Sequence, residues 1–138
     1  MRSNEIQSAL LKLWSSGLEK IDMDIHGLQL SIDLITGSPK DMAKTPHRVV
    51  FEGVSAFFFS NGEGEDRFTT EKRNWVEMTE LDYYGRDRGD QMHLSYYFDK
   101  PNTPGYSANP NFYLEMWGSI LVVEAKEVII DGIRYTAT

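Results

Sequence analysis

The sequence predicts a mainly β domain, an antiparallel sheet curled into a sandwich or a partly open barrel, with one N-terminal α-helix. Three observations carry this. Apolar residues alternate with polar ones at Leu28, Leu30, Ile32, Leu34 and again at Met92, Leu94, Tyr96, Phe98, the period of a half-buried strand. A spacing near 3.6 occurs once, at Ile6, Leu10, Leu13 and Trp14, which is a helix with one apolar face. No second helical segment intervenes between the later strands, so they lack the crossovers that parallel pairing requires. The 138 residues are the length of one domain, read here as residues 1–138.

In chain order, Asn4 caps a helix over residues 4–15, with Gly17 placed to end it in a left-handed conformation. Residues 18–24 form a weakly alternating strand and 26–35 a clear one. Residues 36–46 hold Gly37, Pro39 and Pro46 and form a loop. Residues 47–59 resume as a strand whose two faces are both apolar, with Gly53 as a bulge. Ser60-Asn61-Gly62 opens an acidic hairpin tip at Glu63, Glu65 and Asp66. Residues 75–84 and 92–98 are strands on either side of the charged turn 85–89. Pro101, Pro104, Gly105 and Pro110 make 99–111 an irregular loop. A hairpin turning at Gly118 joins strands 111–117 and 119–130, and Asp131-Gly132 turns into a last short strand. That makes seven or so strands. Leu30, Ile32, Phe51, Leu94, Leu114 and Val122 are the expected core, with Trp75 and Trp117 also inside.

Charge narrows the partners. Fourteen Lys and Arg against 21 Asp and Glu give a net charge of −7. Affinity for nucleic acid comes from clustered bases, and an anionic membrane surface needs them too; neither partner is expected. A basic protein partner is, because opposite potentials orient and speed encounter. The first residues lack an uninterrupted apolar stretch of signal-peptide type, and no apolar run is long enough to span a bilayer. Cytoplasmic residence is the expectation.

Chemistry is sparse. There is no cysteine, which removes thiol nucleophiles and thiolate metal sites. His26, His47 and His93 have no ligand-pair spacing, so no metal and no other cofactor is expected, though the fold could still bring the three together. Asp22, Asp24, Gly27 and Asp33 mimic a calcium loop, but residues 28–34 alternate as a strand where such a loop would begin a helix. No phosphate-binding glycine loop or serine elbow is present. Glu80 and Asp82 share a strand face, as solvated acids do, rather than flanking a cleft. Arg88-Gly89-Asp90 is a chance match to the adhesion tripeptide. No catalytic residue is assigned. The candidate contact surface is Glu63, Glu65 and Asp66 with the nearby Arg86-Asp87-Arg88 turn and the loop residue Tyr106. Tyrosines 83, 84, 96, 97, 106 and 113 among Asn and Asp leave open a small-ligand or carbohydrate-binding barrel, and dispersed carboxylates leave open an enzyme.

Two longer runs, 75–87 (Trp75-Val-Glu-Met-Thr-Glu-Leu-Asp-Tyr-Tyr-Gly-Arg-Asp) and 111–126 (Asn111-Phe-Tyr-Leu-Glu-Met-Trp-Gly-Ser-Ile-Leu-Val-Val-Glu-Ala-Lys), together with Phe51-Glu-Gly-Val-Ser, carry a resemblance. Over residues 20–131 the chain resembles small Bacillus-type proteins of the YxiG-like group. The resemblance brings no catalytic residue. It implies an immunity or accessory role beside secreted toxins.

Overall fold

The computed structural model describes residues 2–37, 43–73, 75–85, 92–94 and 106–137. Helix α1 (Arg2–Leu11) precedes eleven strands: β1 (Gly17–Asp24), β2 (Gln29–Thr36), β3 (Thr45–Glu52), β4 (Ala56–Ser60), β5 (Met78–Tyr83), β6 (Met92–Leu94), β7 (Tyr106–Ala108), β8 (Phe112–Met116), β9 (Ser119–Glu124), β10 (Glu127–Ile130) and β11 (Ile133–Thr136). Two antiparallel sheets hold nine of them, in the orders β1-β2-β3-β10-β11 and β4-β9-β8-β5, while β6 pairs with β7. The result is sandwich-like, with no closed barrel among the described residues. Among the described residues no helix is long and apolar enough to cross a membrane.

The strand count exceeds the expected number for a physical reason. Residues 47–59 are two strands, not one, because the chain bends at Gly53, which has φ +63°, and passes from the first sheet to the second. Residues 119–130 bend beside it at Ala125-Lys126. β3 pairs with β10 and β4 with β9, so one two-stranded ribbon turns the corner as a unit. Bonds from Lys126 N to Glu52 O (3.0 Å) and Ser55 N to Glu124 O (3.0 Å) hold the bend. Part of the expected loop 99–111 is also a strand, β7.

The core is the contiguous inner face of both sheets plus one side of α1: Ile6, Leu10, Leu13, Leu30, Ile32, Leu34, Phe51, Leu114 and Leu121 are among its buried side chains. Of the expected core, Leu30, Ile32, Phe51, Leu114 and Val122 are buried; the Leu94 side chain lies outside the described residues. Leu28 departs from the alternation. It sits in the turn before β2 with φ +51° and is half exposed.

α1 stops at Leu11, earlier than expected. The left-handed residue after it is Ser15 (φ +71°), and Gly17 instead opens β1. Gly17 is needed for a close approach: a Cβ there would stand 2.6 Å from the Trp75 ring. Ser15 N bonds Met78 O (3.0 Å), Met78 N bonds Ser16 O (2.7 Å) and Leu18 N bonds Val76 O (2.6 Å). These tie the start of the first sheet to the approach of β5 in the second. Trp14 turns outward, 61% exposed, its Nε1 donating to Thr79 O at 3.1 Å. Gln7 donates to Leu81 O (2.8 Å) and accepts from Tyr83 N (2.7 Å). Gln7 of the helix and Trp14 of the turn after it thus occupy backbone groups that β5, an edge strand, would leave open.

Candidate functional site

After Ser60 the chain leaves β4 and crosses to β5 on the opposite edge of the same sheet. The acidic residues therefore do not form a hairpin tip, since β9 and β8 lie between the two strands. Residues 64–68 make a short 3-10 turn, closed by Asp66 N to Glu63 O (3.0 Å) and Thr69 N to Asp66 O (3.1 Å). Arg67 folds back, donating to Gly64 O at 2.5 Å with its guanidinium 4.1 Å from the Phe68 ring centre.

Arg73 fixes the crossing to the β8–β9 hairpin. Its Nη2 donates to Asn61 O (2.8 Å), Asn61 Oδ1 (3.0 Å) and Ser119 Oγ (3.0 Å), and the Ser119 hydroxyl donates in turn to Asn61 O (2.6 Å). The hairpin turns on Trp117 (φ +47°) and Gly118 (φ +83°), the left-handed pair of a tight two-residue loop. That conformation takes Trp117 out of the strand alternation. Contrary to the core expectation, its ring is 50% exposed.

An open cleft of about 370 Å³ results, lined by Asn61, Gly62, Glu63, Asp66, Thr69 and Arg73 from the crossing and by Trp117 and Gly118 from the hairpin. Among the described residues, Glu63, Glu65 and Asp66 make no ion pair. Arg73 is spent on neutral acceptors. Two free carboxylates and an exposed indole on a fixed base suit the side chain of a lysine or arginine, held by charge and by the ring face.

A second group of acids lies on the outer face of the same sheet. Glu80 and Glu115 are direct cross-strand partners, a repulsive arrangement, and Asp82 follows two residues on. Glu52 and Glu127 are likewise opposed, but there Arg134 bridges both carboxylates. Its hydrogen bond and charge pull the Glu52 carboxyl below its ordinary value. No such base serves Glu80 among the described residues. Asp82 first, then slight desolvation, then Glu115 push the Glu80 carboxyl above its ordinary value. Tyr84 and Tyr113 pack edge to face beside these acids, centroids 5.0 Å apart.

A carboxyl raised in the folded state takes up its proton at higher pH than in the unfolded chain. Its penalty is full at neutral pH and fades as pH falls toward the ordinary carboxylate range. Glu80→Gln is therefore expected to raise the melting temperature at pH 7, with the gain shrinking by pH 4. Melts of both proteins at the two pH values check this; a gain equal at both would show that charge is not its cause.

The other candidates separate. Arg86, Asp87 and Arg88 lie outside the described residues. Tyr106 begins β7 rather than a loop, and its side chain is not described. His26 sits in an exposed turn built on Asp24, whose Oδ1 accepts from His26 N (3.0 Å) and Gly27 N (3.1 Å); the calcium-loop likeness resolves into this turn. His93 is in β6. His47 donates from Nδ1 to Asp131 Oδ2 (2.6 Å), leaving Nε2 3.2 Å from Thr36 Oγ1. This has the order of a nucleophile–base–acid set. But the Thr36 hydroxyl also bonds Thr45 O (3.2 Å), Asp131 also accepts from Arg48 N (2.8 Å), and none of the three lines the cleft. The set reads as a clamp between β2, β3 and the β10–β11 turn. Among the described residues no three His, Asp or Glu side chains are grouped to hold a metal. Sequence reasoning missed Asn61, Arg73 and the exposure of Trp117; the Trp-Gly turn was the one signal for the last.

The family model described as YxiG-like protein matches residues 6–135. A Bacillus subtilis (strain 168) relative bearing the name "Uncharacterized protein YxiG" is 23% identical over 120 residues, which cover 85% of this chain and 80% of the relative. The resemblance first seen over residues 20–131 thus extends into the helix and to the last strand.

Proposed function

The chain belongs to the YxiG-like family, and from that premise and its own surface we propose that it is a non-catalytic protein that docks a basic protein partner. One observation carries this: Glu63 and Asp66, which make no ion pair among the described residues, line the same cleft as the half-exposed Trp117. The net charge of −7 and the uncompensated acids of β5 and β8 supply a long-range field of the same sign. The crossing itself is less acidic than residues 63–66 alone suggest, because Arg67, Lys72 and Arg73 follow. The cleft works at short range and the sheet face steers. An antagonist that masks a basic toxin surface, as the immunity role implied by the family resemblance requires, has this chemistry. Cytoplasmic residence belongs with this reading.

An arginine-rich peptide serves as the first probe, followed by tryptophan emission. Binding is expected to weaken with salt and to lose its emission change in Trp117→Leu. The triple variant Glu63→Gln, Glu65→Gln, Asp66→Asn is expected to slow association and flatten its salt dependence, while its melting temperature stays close to that of the parent. An unchanged association rate at low salt would eliminate this surface.

A further inference from the structure

The second sheet has two edges, treated differently. At β5 the edge is blocked by Gln7 of the helix and by Trp14 of the turn after it. At β4, among the described residues, no strand other than β9 and no side chain bonds the backbone. The strand also carries none of the usual deterrents to pairing. Residues 53–62 contain no charge and no proline, and the β4–β9 register runs without a bulge from Ala56 to Ser60. Phe57, Phe58 and Phe59 are 45%, 48% and 46% exposed. Phe57 and Phe59 stand opposite the core residues Val123 and Leu121, yet the first sheet does not cover them. Phe58 emerges on the outer face. Among the described residues both faces of β4 are therefore apolar and half exposed.

We propose that β4 is the homodimer edge of this protein, pairing antiparallel with β4 of a second copy. The strand is complementary to itself: a two-fold axis at Phe58 sets Phe57 opposite Phe59 of the partner subunit, all rings matched on each face. A second copy fits better than the basic partner because the stretch offers no charge for a basic partner to meet, and its lack of charge lets two chains of charge −7 approach there with less repulsion. The exposed parts of three rings come to roughly 200–350 Å² per copy. With the paired backbone this stays below the roughly 1,200 Å² of a standard interface, so the dimer is weak and set by concentration.

Sedimentation equilibrium of the full chain from about 10 μM to about 500 μM tests it. The expected result is a rise from 15.8 kDa toward twice that mass, strengthened by salt because screening removes the repulsion. This is the opposite salt dependence from docking of a basic partner, so the two readings fail separately. Phe58→Lys is expected to weaken association at least about tenfold with an unchanged circular dichroism spectrum. Should that variant unfold, Phe57→Gln with Phe59→Gln is read the same way. In the unaltered protein, amide exchange at residues 56–60 is expected to slow with concentration. A single-chain mass throughout, a dimer that the variants leave intact, or exchange at 56–60 independent of concentration would each overturn the proposal; the second outcome would place the interface elsewhere.

Discussion

Phe112→Ala is expected to cost about 3–5 kcal/mol, a large share of the stability of a domain that has about 5–15 kcal/mol in all. Phe112 is fully buried on β8. Its ring meets Phe51 of β3 edge on, centroids 4.8 Å apart and 63° between planes, and lies 5.0 Å from the Tyr83 ring of β5. β3 belongs to one sheet, β8 and β5 to the other. The three rings are thus a principal contact through which the sheets hold each other, and an alanine would leave a cavity between layers that strand pairing prevents from closing. Urea denaturation of the variant measures the loss. In a double-mutant cycle with Phe51→Ala the double variant should lose about 0.5–1.5 kcal/mol less than the sum of the separate losses, which is the coupling of the two rings. A loss for Phe112→Ala below about 0.5 kcal/mol, the range of surface changes, would mean that the layers are packed in some other way.

Sequence periodicity identified the elements that stand alone. β2 follows from the alternation of Leu30, Ile32 and Leu34, and the β10–β11 hairpin from Asp131-Gly132. It misread those that change sheets. Residues 47–59 look like one strand with two apolar faces, because β3 buries Val49 and Phe51 on one side while β4, beyond the bend at Gly53, carries phenylalanines on both. A local pattern records that both faces are apolar but not that the layer changes. The acidic segment at 63–66 was misplaced for a related reason. β4 and β5 are neighbours in sequence, and only the insertion of β9 and β8 between them turns a tip into a crossing. The cleft combines residues 61–73 with 117–118, so no spacing along the chain announces it. The pairing of Glu80 with Glu115 likewise depends on register between strands thirty-odd residues apart, although the shared face of Glu80 and Asp82 could be read directly.

Asn111 makes the same point with a larger expected effect. In the sequence it opens a strand next to Pro110. In the fold it is 3% exposed and satisfies three backbone groups from two segments. Its Nδ2 donates to Ala125 O (2.8 Å) and Ala137 O (3.1 Å), and its Oδ1 accepts from Ala125 N (3.1 Å). Ala125 is the corner where the ribbon turns between sheets, and Ala137 follows the last strand, so one amide ties both to β8. Asn111→Asp preserves the shape but replaces the donor with an oxygen facing two carbonyls. An ionised carboxylate there is buried without a cation, and the two carbonyls lose their partner; a loss of at least about 3 kcal/mol at pH 7 is expected. Burial and the facing carbonyls favour the neutral acid, so the introduced carboxyl should titrate above its ordinary range. The penalty is then full above that raised value and relaxes as pH falls through it toward the ordinary range, because the protonated acid can donate to one carbonyl. Asn111→Ala loses the same bonds without introducing a charge, and its deficit should stay level across the same pH range. Melting temperatures of the parent and both variants from pH 7 to pH 4 separate the contributions. Parallel pH profiles for Asp and Ala would show that the site admits water and is not the dry corner described.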